Sequence, residues 1–443
     1  MKKTCLFSLC LALFTTNAFA ASSSYTMEQA VQKALADNRS IISSEKKSEA
    51  SKSALWAARG AFGPSVNANY QISHDPHSDA LKKLKDETIY TFGVEVRQPL
   101  FQGFQLLNAA QKAKLKSEYD KLQVKKTNIA IANEVQTAFL QYLMAEESVD
   151  SAYQSVQRAK EQLGIAKDGY DLGLRPKIDV LQAEYELSST EATLIENENN
   201  KNSLKAKLNA LLNLPVEQDT NFVGKLESVP YSFVFEDEVK KAFAQLPDVQ
   251  MAEKSMNMAE KDMNIALGSF LPKIDGVIQY STFGSDWDAD GKLRSHQVDP
   301  TLRITTPSEN TTYSIVGTMN LFSTGQKYFR VREAKSGVEA LQAQVELAYN
   351  NAALNVKVCI LKLQDAFRTV EVSTRALESA RKSYDDAKTR YEYQLGTNLE
   401  MLTAQSDLAE AELLYISSKA NYLVALSNMY AAVGEINPSL TKK

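Results

Sequence analysis

The sequence predicts a mainly α-helical chain with a small transmembrane β part, made of two copies of one helix–hairpin–long helix–helix unit. Three observations carry that expectation. Segments recur at fixed spacing: Ala34-Leu35-Ala36 matches Ala242-Phe243-Ala244, and Phe62-x-Pro64-x-Val66-Asn67 matches Phe270-x-Pro272-x-Ile274-Asp275, both 208 residues later. Leu100-Phe101, Ala113-Lys114 and Ile178-Asp179-Val180-Leu181 return as Leu321-Phe322, Ala334-Lys335 and Leu399-Glu400-Met401-Leu402, all 221 residues later. Each half also holds two segments of period two, the spacing of strands, and one very long stretch of 3-4 spacing, the spacing of helices.

Taken in order, Thr26-x-x-Gln29 is a capping box that opens a helix over 27–60. Strand 65–73 follows, where Val66, Ala68, Tyr70 and Ile72 alternate with Asn67, Asn69, Gln71 and Ser73. In strand 89–100, Tyr90, Phe92, Val94 and Val96 alternate with Thr91, Gly93, Glu95 and Arg97. The long helix covers 104–172, with Val149, Ala152, Val156, Ala159, Leu163, Ala166 and Tyr170 as a coiled-coil seam, and helix 177–213 completes the first unit, 21–221. The second unit, 222–443, repeats the plan with helix 236–268, strands 273–283 and 311–322, and helices 326–395 and 398–433. Its seam of Val370, Ser373, Leu377, Ala380, Tyr384, Ala387 and Tyr391 occupies the same seven places. At 1.5 Å per residue each long helix spans roughly 100 Å, too long for a globular domain.

Composition excludes several function classes. The 50 Lys+Arg against 54 Asp+Glu, a net charge of -4, leave no basic footprint for nucleic acid. Three His and no CxxC motif leave no expected metal centre, and no nucleophile–base pair or Gly-rich phosphate loop points to an enzyme or a cofactor. Residues 1–20 read as a secretory signal, with Lys2 and Lys3, an apolar stretch from Cys5 to Phe14, and Ala18-Phe19-Ala20 as the cleavage site. Its removal would leave Cys359 as the sole thiol, on a helical apolar stripe with Val356, Leu363 and Ala366. Beyond Ala21 no apolar run is long enough for a transmembrane helix.

Four amphipathic strands in an exported chain pose a closure problem. An open sheet in lipid leaves its edges unpaired, and four strands are too few for a barrel. Several copies must therefore pool their strands. At this point the chain resembles the TolC-type outer-membrane factors, the exit ducts of efflux and type I secretion systems. The resemblance spans Thr26-Met27-Glu28-Gln29-Ala30 to Val433-Gly434 and rests on the two Phe-x-Pro junctions, Gln98-Pro99-Leu100-Phe101 and Asn320-Leu321-Phe322, and the turns at 170–181 and 390–402. It implies a homotrimer in outer-membrane lipid: a 12-stranded β-barrel continued by an α-helical coiled-coil tunnel in the periplasm. It further implies a passive channel without cofactor, an equatorial belt over 214–235, and helical tips that meet a periplasmic adaptor and an inner-membrane pump.

The same resemblance places the periplasmic aperture at the two turns. Glu400 falls where a ring of carboxylates begins, while its second acidic position is Thr403, so the ring is expected to be less negative. Asp179 is the first-half counterpart of Glu400, and Tyr170 and Tyr391 are candidate donors of gate links to it, with Arg175 and Arg390 as further candidates. The plainer roles are capping for the acids and seam packing for the tyrosines. Elsewhere, Asp286-x-Asp288-x-Asp290-Gly291 opens a calcium-loop pattern that Gln297 fails to complete, and His74 and His77 read as ordinary loop residues. A soluble periplasmic coiled-coil scaffold or adaptor is the alternative, which the apolar-faced hairpins disfavour.

Overall fold

A computed structural model describes residues 24–75, 87–227, 233–284, 286–287, 293–294 and 309–438. The expected signal at 1–20 and the motif residues His77, Asp288, Asp290 and Gln297 lie outside the described residues. In chain order the elements are β1 (Ser24–Tyr25), α1 (Met27–Asp37), α2 (Arg39–Gly60), β2 (Ser65–Asp75), β3 (Glu87–Gln102), α3 (Gln105–Asp171) and α4 (Lys177–Leu211). There follow β4 (Asn221–Phe222), α5 (Phe235–Gln245), α6 (Pro247–Gly268), β5 (Lys273–Gly284), β6 (Asp286–Trp287), β7 (Leu293–Arg294), β8 (Glu309–Thr318), α7 (Gln326–Glu392) and α8 (Asn398–Ala432). Corresponding helices of the two halves have equal lengths: 11 residues for α1 and α5, 22 for α2 and α6, 67 for α3 and α7, 35 for α4 and α8.

The expected helix over 27–60 is in fact two helices. Asn38 takes an extended conformation, its Oδ1 accepts from Ser40 N–H at 2.9 Å to cap α2, and its Nδ2 donates to the Leu211 carbonyl at 3.0 Å. Helix 236–268 breaks likewise at Leu246, because Pro247 cannot donate to the preceding turn and serves as the first residue of α6. The capping box is present, with Gln29 N–H on Thr26 Oγ1 at 3.4 Å and Thr26 N–H on Gln29 Oε1 at 3.0 Å. Strand 311–322 is displaced: β8 starts at Glu309 and ends at Thr318, and Met319–Ser323 are irregular. Helix 326–395 stops at Glu392, where the αL residue Gln394 begins the turn. Strands β1 and β4, two residues each and paired in parallel, were too short to leave a periodic signal.

The four long strands form one antiparallel sheet in the order β2-β3-β5-β8. Its register is regular from Ser65↔Arg97 to Asp75↔Glu87, and slips once, between Pro99 and Phe101 of β3, where proline supplies no N–H. The helices extend this order below the sheet, α2 against α3, α3 against α6 and α6 against α7. Further down, α3 packs on α4 and α8, and α7 on α8. Strand becomes helix through paired left-handed residues, Gly103 with Phe104 and, 221 residues on, Thr324 with Gly325. Gly103 and Gly268 bring their backbones into direct contact, and a Cβ on either would strike the other's carbonyl.

The largest apolar core sits at the middle of α3. Ala132, Val135, Phe139, Tyr142 and Leu143 pack there with Leu208, Leu212, Phe222, Tyr422, Leu423 and Leu426. The Phe222 ring meets Phe139 and Tyr142 edge-on at 5.7 and 5.3 Å, which is why the short β1–β4 pair is held so firmly against α3.

Candidate functional site

The tips of the α3/α4 and α7/α8 hairpins carry every sequence-predicted site residue. In the first turn Gly173 adopts φ 70°, and Leu174 and Arg175 donate their N–H groups to the Gly169 carbonyl at 2.8 and 3.1 Å. In the second turn Gln394 adopts φ 64°, and Leu395 and Gly396 donate to the Arg390 carbonyl at 2.8 and 3.0 Å. The backbones are the same; the glycines are exchanged. Gly169 has no side chain because the Arg175 stem lies on it, with Cδ only 2.6 Å from where a Cβ would stand. Gly396 plays the matching part opposite Arg390, whose Cβ would be 3.2 Å from a Cβ at 396.

The residue at the start of each following helix determines how its acid is held. Thr397 and Glu400 form a reciprocal capping box, both bonds at 3.2 Å, which holds the Glu400 carboxylate at the α8 terminus. Pro176, at the equivalent place in the first turn, has neither N–H nor hydroxyl, so Asp179 cannot be engaged that way. Its Oδ2 instead lies 3.9 Å from Arg175 Nη1.

Arg175 is the centre of the contact between the two hairpins. Its guanidinium carbon stands 3.5 Å from the centroid of the Tyr391 ring, and Nη2 donates to the Tyr391 carbonyl oxygen at 2.6 Å. Tyr391 is fully buried, whereas its seam counterpart Tyr170 is 45% exposed. The Tyr391 hydroxyl lies beside Gln162 and Arg175 without a well-formed hydrogen bond, and burial pushes its phenol above the ordinary tyrosine range. Within the chain Tyr391 meets the first hairpin through Arg175, by its ring and its carbonyl, and its hydroxyl makes no hydrogen bond to Asp179. Arg390 is exposed in the last turn of α7, where its charge complements the helix dipole, and Thr403 and Glu400 face solvent.

Sequence reasoning missed a polar chain behind this bridge. Gln162 of α3 donates to Asn398 Oδ1 at 2.9 Å, and Asn398 Nδ2 donates to Gln182 Oε1 at 2.8 Å. Gln162 and Asn398 are buried, and the only trace in the sequence is a pair of amides beside a heptad seam. Among the described residues no group of His, Cys, Asp and Glu is arranged to hold a metal, and no helix is long and apolar enough to cross a membrane.

A four-stranded sheet with open edges among the described residues, set on helices of this length that end in two hairpin turns, is the build of a duct-forming protein of the outer membrane. The chain belongs to the outer membrane efflux protein family, whose sequence profile matches residues 30–214 and 239–435. It is 20% identical over 427 residues to the outer membrane efflux protein BepC of Brucella suis biovar 1 (strain 1330), a match that takes in 94% of this chain and 87% of the relative. Its fold is that of the Campylobacter jejuni CmeC outer membrane channel, with a TM-score of 0.81, 14% identity and 93% and 86% of the two chains covered. The Vibrio cholerae outer membrane protein VceC superposes with a TM-score of 0.79 at 14% identity, covering 92% of this chain and 96% of that one. The protein is an outer-membrane exit duct of an efflux system.

Proposed function

We propose that the working duct is a homotrimer, passive, gated at its hairpin tips, and completed by a periplasmic adaptor and an inner-membrane pump. On this reading the two halves, 21–221 and 222–443, descend from one duplicated unit, each copy giving two strands and one pair of long helices. The single observation that carries the trimer is the state of the sheet edges. Among the described residues β2 and β8 are the outer strands of the sheet, each paired on one side only, and Tyr313 and Ile315 of β8 are 77% and 76% exposed. Such edges cannot sit in lipid. Since β2 and β8 run in opposite directions, β8 of one copy can pair antiparallel with β2 of the next, and three copies close twelve strands.

The edge helix α7 supports the same reading, because Leu347, Leu354 and Leu361 repeat at heptad spacing and are all exposed. In a ring of copies they would meet the α2 and α4 edges of a neighbour. At the tips, Glu400 would contribute to the aperture and Asp179, with Arg175, to the closing contact. Thr403 makes that aperture less acidic than two carboxylates per copy would. The chemistry of the cargo would be chosen by the pump and adaptor.

The test is the detergent-corrected mass of the protein extracted from purified outer membranes. Three chains of 49.1 kDa, or roughly 140 kDa once a leader is removed, is the expected result. A monomer in the soluble periplasmic fraction would sink the duct reading in favour of a scaffold.

A further inference from the structure

The second half departs from the first at one place, the helix-side rim of the sheet. On the apolar face, which meets lipid, Gly276 of β5 stands between Gln98 of β3 and Ile315 of β8, and Ile278 stands between Val96 and Tyr313. Gly276 and Gly317 occupy the places of Ala68 and Val96 in the first half, 208 and 221 residues earlier. The missing side chain at Gly276 leaves a dent of about 310 Å³ walled by Val96, Ile278, Tyr313 and Ile315. A Cβ on Gly276 would come no nearer than 3.7 Å to Leu100, so packing within the chain does not call for glycine there. Pairing of β8 with a further strand uses its backbone edge and leaves this face in lipid.

The helices below the rim differ as well. In the first half Leu106 and Leu107 of α3 continue the apolar face downward, lining one pocket with Phe62, Leu100 and Phe104. The matching positions of α7 are Lys327 and Tyr328, and Phe329, Arg330 and Arg332 follow where the first half has Asn108, Ala109 and Gln111. Three cations thus replace three uncharged side chains, beside two aromatic rings that are each 61% exposed. Cations in the first turns of a helix work against its dipole, so α7 does not gain its own stability from them. Lys327 Nζ donates to the Asn320 carbonyl at 2.7 Å and stands 5.6 Å from the Phe270 ring, which engages one of its three N–H donors. Arg332 is exposed and has no ion pair among the described residues. Aromatic and basic side chains together at the rim of a lipid-facing surface are the composition of an interfacial anchor.

We propose that this rim binds one anionic glycerophospholipid of the periplasmic leaflet, its phosphate on Lys327 and Arg332 and one acyl chain in the dent at Gly276. The two parts lie at fitting levels. Ile315 is three residues, about 10 Å, above the end of β8 at Thr318, and α7 begins directly below that junction. They also share a side of the wall. At about 100° per residue Arg332 falls within about 40° of Tyr328, whose first-half counterpart Leu107 lines the pocket with Leu100, whereas Arg330 lies about 160° away. Charge selects the lipid. A headgroup with net negative charge gains from both cations, while a zwitterionic headgroup brings an ammonium that they repel. The proposal rests on the placement of the sheet in the outer membrane and does not depend on the number of copies.

The experiment is native mass spectrometry of the detergent-purified full chain, titrated with dioleoyl-phosphatidylglycerol or with dioleoyl-phosphatidylethanolamine. One phosphatidylglycerol per copy is expected to bind about tenfold more tightly than phosphatidylethanolamine. Lys327→Ala with Arg332→Ala should bring the two lipids to equal affinity, whereas Lys114→Ala on α3 should leave the preference unchanged. Gly276→Leu fills the dent and should weaken both lipids alike, by about fivefold, with the preference kept. Should that variant not fold, the charge variants on the helix surface carry the test. Equal affinities in the unaltered chain, or a preference that survives the double variant, overturn the site. Unchanged affinity in a folded Gly276→Leu overturns it too, as does displacement of the lipid by millimolar inorganic phosphate, the mark of a free-anion site. Loss of mass toward the monomer in the double variant, with the preference intact, would make the cations a contact between copies and overturn the lipid site. Lipids are counted per copy in whichever oligomer the spectrum shows, so failure of the trimer and failure of this site are read separately.

Discussion

Arg175 and Tyr391 show how little of a residue's role follows from its type. The family resemblance suggests a hydroxyl-to-carboxylate link from Tyr391 to Asp179, yet the buried Tyr391 offers its ring and its carbonyl, and the arginine makes the connection. Tyr391→Phe is therefore expected to leave closed-state conductance unchanged, since the hydroxyl it removes makes no well-formed bond. Arg175→Lys, by contrast, should raise conductance, because an ammonium cannot stack on a ring and donate in the same plane. Equal conductance for both variants would show that the guanidinium is not what joins the hairpins. The exchanged glycines belong to the same scale: Gly169 is needed for the side chain of Arg175, not for its own backbone.

At the scale of elements, the junction of sheet and helix is the point where the chain tolerates least. Gly103 sits at φ 58° directly against Gly268, and a Cβ on either meets backbone, which cannot swing aside. Gly268→Ala should therefore destabilise the fold by about 1–3 kcal/mol, the range for overpacking. The loss would be read as faster hydrogen exchange at the start of α3 and the end of α6. Unchanged exchange there would mean that the two backbones can separate freely. The helix breaks at Asn38 and at Leu246 belong to this scale too. Proline announces the second one in the sequence, whereas the first depends on a side-chain bond from Asn38 to Leu211, 173 residues away.

At the scale of the whole molecule, the proposed trimer makes one chain an incomplete object. Two strand edges and the Leu347, Leu354 and Leu361 stripe are exposed on a protein whose sheet must end in lipid. Replacing Leu354 with Glu would place a charge in the seam between copies, and the assembly is expected to lose mass toward the monomer in detergent, with helix content retained. A trimer that survives this change would move the contact between copies to another face of α7.

Much of this architecture is legible in the sequence. Periodicity of two and of 3.5 is a local property, written into neighbouring residues, so strands, long helices and the duplication could be read from the sequence, as could the Thr26 capping box and the incompleteness of a four-stranded sheet. Family resemblance alone points to the two turns as the proposed site. Tertiary structure alone decided which side chains meet there, because Arg175 and Tyr391 are 216 residues apart and Gln162 and Asn398 are 236 apart. Secondary structure is dictated by interactions within a turn or two of chain. The contact between the two hairpin tips joins segments far apart in the chain, and no local pattern records which side chains face each other across it.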